Sequence, residues 1–523
     1  MSTFSIVVMQ KVLPLSDFRW LALPPLSFLL LLVGLPLSRL LYEGGLAFSP
    51  ALLSDAYLQW RLGWSLLQAA ATCGLTLLLG LPLAWVLAHF EFRGRALLLR
   101  VLMLPFVMPT LVAGLGVLAL FGPHGVSGLN LQDTPWLLLY GNLFYNLPLL
   151  IRAAVDGFDH VPASRLMVAR TLGASRWRAF WRVEWPVVRP WLASALCLIF
   201  LYCFSGFGLA LLLGGQRYAT VEVEIYSLVA YELNLADAGA LALLMLLLGA
   251  VIALLYALIE RRLARPDKRS PPLRQPVQGW PQRLLLLACL LVLALFAAAP
   301  LLAVLLRALL ADAAAWQVLL QDDTLLALGN TLRFSLLALL LATLLGLLHG
   351  LAARSSAGLR ALMFLPFMVS PVCVAFGLLL AYPAYSATLA LLVAAYALLA
   401  YPFVAKAVVS ARDALPAALP NAARTLGASP WRVFWRVSLP LMRPALRRGM
   451  AFAAATAVGE FAVSLFLSRP EWLTLTTLIY QHLGRPGAAN LEAALVLSSV
   501  LLLLALLAFM AIEWPEKTHA RTS

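Results

Sequence analysis

Apolar residues run along this chain in twelve blocks of about twenty or more, separated by short polar turns. In the first half they fall near 20–42, 63–90, 98–121, 136–156, 188–213 and 237–260. In the second half they fall near 284–310, 324–350, 358–381, 385–409, 440–466 and 490–512. Blocks of that length cross a bilayer as helices, because only a helix satisfies every backbone group within its own segment. The ten-residue apolar/polar alternation of a membrane barrel is absent. The pattern predicts an all-α polytopic membrane protein with about twelve transmembrane helices. Between the halves, residues 261–283 read RRLARPDKRSPPLRQPVQGWPQR, Pro-rich and without apolar periodicity. That is a linker, dividing the chain into domains at 1–260 and 284–523.

Composition agrees: 63% of the 523 residues are hydrophobic and 12% are charged. The net charge of +15 would point to nucleic acid in a soluble chain, but here it gathers in short turns. The linker carries seven Arg or Lys against one acid, and Arg93, Arg95, Arg100, Arg354 and Arg360 sit in two more basic turns. The opposite loops are acidic, with Glu222, Glu224, Glu232 and Asp237 in one and Asp312, Asp322 and Asp323 in another. Basic loops stay in the cytoplasm, so both termini and the linker are expected inside a bacterial inner membrane, and no nucleic-acid partner is expected. The first block is too long for a signal-peptide core and is expected to stay as a span.

The chain also repeats itself. Shifted by 254 residues, 169–190 matches 423–444 at sixteen of twenty-two positions. The same register pairs Pro148 with Pro402, Pro162 with Pro416, Phe207 with Phe461, and Ile225-Tyr226 with Ile479-Tyr480. A constant offset after the fourth block of each half implies a parallel repeat, two six-helix units related by a pseudo-two-fold axis.

At the centre of the repeat lie ARTLGASRWRAFWRV and ARTLGASPWRVFWRV, within loops 160–186 and 414–440. Gly173 and Gly427 can take the left-handed conformation that ends a helix. Ser175 and Ser429 then cap a second helix carrying Trp177 and Arg178, or Trp431 and Arg432. A proline, Pro186 or Pro440, is expected to close that helix before the next span. One such helix alone reads as an interfacial anchor of Trp and Arg; two in register read as paired docking knobs for a two-fold symmetric partner.

These residues resemble the cytoplasmic loop of ABC importer permeases, whose pattern is Glu-Ala-Ala, three residues, Gly, nine residues, Ile-x-Leu-Pro. The first copy offers Ala169, Gly173, Val183, Trp185 and Pro186; the second offers Ala422, Ala423, Gly427, Val437, Leu439 and Pro440. The Glu is replaced by Met167 and Asn421. The resemblance implies two tandem type I permease domains. It also implies that Ala169, Gly173, Ala174, Ser175, Trp177, Arg178 and Pro186 form one ATPase-coupling loop. Ala423, Gly427, Ala428, Ser429, Trp431, Arg432 and Pro440 would form the other. It further implies two copies of a cytoplasmic ATPase subunit, which hold ATP and Mg, and a periplasmic solute-binding protein docking on outer loops 214–235 and 468–489. No Lys follows a Gly anywhere, so this chain has no P-loop of its own and no cofactor is expected on it. The fused layout is similar to thiamine and ferric-iron permeases, and stretches 144–162 and 197–244 lean toward thiamine.

Intramembrane polar groups mark candidate translocation residues: Glu460 in one span, and Asn142, Tyr145 and Asn146 in another. For the last three, hydrogen bonding between helices is the competing role. His349 and Arg152 read as interfacial groups at span ends. The five cysteines lie in apolar segments without metal-ligand spacing and read as packing residues, and no metal or catalytic constellation is apparent. An ion-coupled secondary transporter remains the alternative from another class; it would need buried coupling groups, of which Glu460 is the clear one.

Overall fold

The computed structural model describes residues 20–47, 54–263, 274–353, 356–386, 388–416, 418–467 and 469–513. Both termini and residues 264–273 of the linker lie outside the described residues. In chain order the principal helices are α1 Trp20–Gly45, α2 Ala56–His89, α3 Arg95–Val107, α4 Thr110–Phe121, α5 Pro135–Asp159, α6 Arg176–Phe204 and α7 Leu235–Ile252. In the second half follow α8 Trp280–Leu309, α9 Asp322–Ala352, α10 Pro371–Ala381, α11 Leu389–Asp413, α12 Leu439–Val458 and α13 Ala488–Ile512.

Among the described residues, nine of these helices are long and apolar enough to cross a membrane, or ten when α3 and α4 count as one bent span. The twelve uninterrupted spans expected from the sequence are not found, and three physical causes account for the difference. α3 and α4 meet at 101° because Met108 is extended ahead of Pro109. A residue before proline is sterically pushed out of the helical region. The block at 358–381 breaks in the same way, with Ser370 extended ahead of Pro371. α12 carries Arg443, Arg447 and Arg448 in its first half, too polar for an isolated lipid-facing span.

Each half builds a tight three-helix packing, α2 with α5 and α6 in the first, α9 with α11 and α12 in the second. The first helix of each half reaches across. The Leu35–Ala47 part of α1 packs on α10, and α8 packs on α4. A proline meets a glycine at each crossing. A Cβ on Gly116 would lie 2.4 Å from the Pro300 carbonyl oxygen, and one on Gly377 would lie 3.1 Å from that of Pro36. At Gly116 glycine alone lets the backbones approach that closely, and at Gly377 a larger residue fits only if Pro36 gives way slightly. The halves are therefore interlocked, not merely abutted.

The described end of the linker is structured. Gln275–Pro276 pairs in parallel with Phe90–Glu91, and Arg274 donates to both carboxylate oxygens of Asp159 at 2.9 and 3.1 Å. The repeat partner of Asp159 is Asp413, held instead by Arg360 at 2.6 and 2.9 Å.

The segments 214–235 and 468–489 are not open loops. They contain the helices Val221–Ala230 and Leu475–Leu483, which fold inward. Phe207 stacks on its repeat partner Phe461 with centroids 5.9 Å apart, flanked by Tyr226 and Tyr480. Glu222 and Glu224, counted above as loop charges, are buried: Ser370 donates to Glu222, while Tyr57 and Arg61 hold Glu224. His349 is also buried, not interfacial; the Tyr401 hydroxyl and the Leu359 carbonyl hold its ring.

Candidate functional site

Both repeated stretches fold to the same turn. The short helices Ala163–Thr171 and Ala418–Thr425 end at Gly173 (φ +79°) and Gly427 (φ +83°). Ala174 N–H donates to the Ala169 carbonyl at 3.0 Å, and Gly173 N–H to that of Arg170 at 3.0 Å. Ala428 and Gly427 repeat this on Ala423 and Arg424 at 3.1 and 2.9 Å. This double closure is the Schellman ending, which requires the left-handed residue. Ser175 Oγ then accepts from Arg178 N–H at 3.3 Å, and Ser429 Oγ from Arg432 N–H at 3.4 Å.

Nothing lies within 4 Å of a Cβ built on either glycine. Gly173→Ala or Gly427→Ala should therefore cost only the left-handed backbone penalty, about 1 kcal/mol. The expected result is local: amide exchange at 169–178 or 423–432 accelerates roughly fivefold, with the global melting temperature unchanged.

The proline does not close the second helix, contrary to expectation. Arg176–Phe204 is one continuous run, with a π-turn at Phe180–Glu184 just before Pro186. The same π-turn at Phe434–Ser438 precedes Pro440. The wider turn absorbs the hydrogen bond that proline cannot donate. Each loop is thus helically continuous with the helix that follows it, α6 in the first half and α12 in the second.

Each loop presents an apolar tip among exposed arginines. Leu172 and Leu426, at the two tips, are 82% and 88% exposed, more than any other large hydrophobic side chain described. Behind them Trp177, Phe180 and Trp181 pack as a ring cluster, copied by Trp431, Phe434 and Trp435. Ala179 and Val433 are buried beneath and anchor the two clusters. Arg178, Arg432, Pro186 and Pro440 are exposed. So are Met167 and Asn421, which stand where the family pattern has Glu. The first loop has an additional tether. Buried Glu184 meets His89 at the end of α2 at 3.1 Å, where the second copy has Ser438.

Between the halves lies a cavity of about 300 Å³, walled by residues 106–110 at the α3–α4 break, 205–209 beyond α6 and 459–462 beyond α12. Asn142, Tyr145, Asn146 and Glu460 all line it. Asn142 Nδ2 donates to Gln68 on α2 at 2.8 Å, and Tyr145 OH donates to the Met108 carbonyl at 2.8 Å. Asn146 donates to the Asn142 carbonyl and to Cys203 Sγ. These three groups therefore serve helix packing as well as the cavity wall. Glu460 Oε1 accepts from Val463 N–H at 2.8 Å, at the start of the helix Ala462–Leu467. It is the one carboxylate among the lining residues. Among the described residues no three His, Cys, Asp or Glu gather where a metal could bind.

Aromatic rings flank the cavity at both ends. Phe207 and Phe461 form the layer away from the repeated loops. Toward the loops, Phe106 contacts Tyr202 and Phe452 at 5.9 and 6.3 Å, and Phe403 contacts Phe452 at 6.0 Å. The arrangement is a compartment between two aromatic layers, at an interface of two repeated halves with paired knobs below.

The family of binding-protein-dependent transport system inner membrane components matches residues 80–265 and 336–517, most of the chain. The chain belongs to that family. This permease is therefore a multi-pass transport component of the inner membrane and not an enzyme. It is 29% identical over 506 residues to the thiamine transport system permease protein ThiP of Escherichia coli (strain K12), covering 88% of this chain and 90% of that protein. It is 28% identical over 512 residues to ThiP of Haemophilus influenzae (strain ATCC 51907 / DSM 11121 / KW20 / Rd), covering 92% and 93%. The molybdenum transport system permease protein ModB of Azotobacter vinelandii is 34% identical over 169 residues, covering 30% of this chain and 75% of that protein.

Leu172 and Leu426 escaped the sequence reading; Glu184 is legible there as part of one face of the loop helix, but its contact with His89 is not. A leucine in so apolar a chain carries no signal of its own, and exposure alone distinguishes these two. Glu184 did carry one: it is the single acid within the repeated stretch and the second copy lacks it.

Proposed function

We propose that this permease imports thiamine, received from a periplasmic binding protein and driven by two copies of a separate ATPase in the cytoplasm. The observation that carries the substrate is the similarity to thiamine permeases through both halves of the chain. The cavity supports it: rings at both ends and one carboxylate suit an aromatic cation, which gains from ring faces and an opposite charge. The ATPases engage the apolar knobs at Leu172–Trp177 and Leu426–Trp431, and the continuous helices α6 and α12 carry their motion to the cavity. The domains are 1–260 and 284–523, with the bent α3–α4 pair, α10 and α12 completing six crossings in each half. Both termini, the linker and the loops 160–186 and 414–440 face the cytoplasm; the binding protein docks over Val221–Ala230 and Leu475–Leu483.

The test is uptake of labelled thiamine by cells that depend on this gene. Thiamine should accumulate, resist an uncoupler and stop on ATP depletion. Accumulation of ferric iron in its place would move the substrate, and collapse with the uncoupler alone would make this an ion-coupled carrier.

A further inference from the structure

A second cavity, about 360 Å³, lies on the loop side of the inner aromatic layer and shares Phe106, Tyr202 and Phe403 with it. Its two sides differ. Every residue from the first half is apolar or aromatic, whereas the second half contributes Lys406, Ser410 and Arg448. Lys406 Nζ stands 5.6 Å from the Phe364 ring centre. Neither cation forms an ion pair with a described residue, and both are exposed residues that line the cavity.

The repeat brings out the contrast between the halves. In the 254-residue register Lys406 matches Arg152, which is neutralised one turn on by Asp156 at 3.2 Å. The position matching Asp156 is Ser410, so the second half carries a hydroxyl where the first has an acid. It has also placed Arg448 where the first half has Ser194. Two uncompensated cations beside aromatic faces, in a small-molecule-sized cavity, attract an anion that also carries a ring.

We infer that this cavity is a binding site for a phosphate ester of an aromatic solute, reached from the end of the bundle that carries the repeated loops. The terminal phosphate meets Lys406, Arg448 and the Ser410 hydroxyl, and the ring lies against Phe364 and Phe403. A free cationic solute is repelled by the same pair and leaves. The outer compartment, with Glu460, has the opposite preference. The choice of ring rests on the thiamine reading above; the anion site does not.

Calorimetry on the full chain in phosphatidylcholine nanodiscs tests it, with thiamine diphosphate, inorganic diphosphate and thiamine as probes. Thiamine diphosphate should bind at least tenfold more tightly than thiamine, and inorganic diphosphate measurably. Ser410→Asp, which restores the neutralising acid of the first half, should weaken both anions tenfold or more. Ser410→Asn, similar in size but uncharged, should keep them within about threefold. Lys406→Met with Arg448→Met should abolish both. Unchanged affinity in Ser410→Asp and in the double variant overturns the site. Anion binding that disappears when phosphatidylglycerol replaces the neutral lipid assigns the site to a lipid headgroup and overturns the soluble ester. A chain that fails to import thiamine yet binds inorganic diphosphate, sensitive to Ser410→Asp, refutes the substrate and leaves the anion site intact.

Discussion

Leu172→Asp combined with Leu426→Asp is expected to strip the ATPase from the permease while leaving the chain inserted and folded. Both side chains stand almost wholly in solvent at the loop tips, so the folded chain loses nothing by their replacement. A partner that receives them in a cleft gains about 2 kcal/mol from each leucine. An aspartate there loses that gain and adds a desolvation cost of several kcal/mol. The loss occurs at both knobs of a bivalent contact, so the effects compound. Each single variant should retain partial association through the other knob; the double variant should retain none on co-purification in detergent. The discriminating control is Arg165→Asp, also on the first loop helix but away from the tip, which should cost little. Normal ATPase recovery with the double variant would remove these loops from the coupling contact.

Glu460→Gln should lower thiamine uptake tenfold or more without lowering the melting temperature. The glutamine side-chain oxygen can still accept from Val463 N–H, so the start of Ala462–Leu467 stays capped. What disappears is the charge. At about 5 Å and an effective dielectric near 20, a carboxylate stabilises a monovalent cation by roughly 3 kcal/mol. Glu460→Ala removes charge and cap together and should cost stability as well. A full uptake rate in Glu460→Gln, with a loss confined to Glu460→Ala, would reduce Glu460 to a structural cap. The pair of variants therefore separates transport from folding at one residue.

What could be seen in the sequence follows from which physical rules are local. Apolar blocks read as helices because each must satisfy its own backbone in lipid. The glycines were legible because a helix ending of this kind has few solutions, and Gly173 and Gly427 repeat it in register. The breaks at Pro109 and Pro371 were visible as prolines but not as sharp turns, since α5 and α6 also contain prolines and pass through them. Whether a proline bends a helix or is absorbed by a π-turn depends on neighbours that only the folded chain supplies. The inward folding of Val221–Ala230 was hidden for a similar reason. Glu222 and Glu224 looked like solvent charges until Ser370, Tyr57 and Arg61 were brought to them from distant segments. Asn142, Tyr145 and Asn146 are legible together as cavity candidates, since their spacing puts them on one face of α5. That Glu460 of the other half shares their cavity is a property of the interface between halves, and no local pattern encodes it.

The crossing of Pro36 over Gly377 also bears on how the molecule is made. Once made, α1 finds part of its seat only after about 340 further residues exist, on the order of tens of seconds at ordinary synthesis rates. Until then the face of α1 that will meet α10 must rest against lipid or a chaperone. Two separately produced halves would have to thread α1 and α8 past each other in the bilayer to reassemble. Joining the halves in one chain keeps those helices at the high local concentration that such an exchange demands.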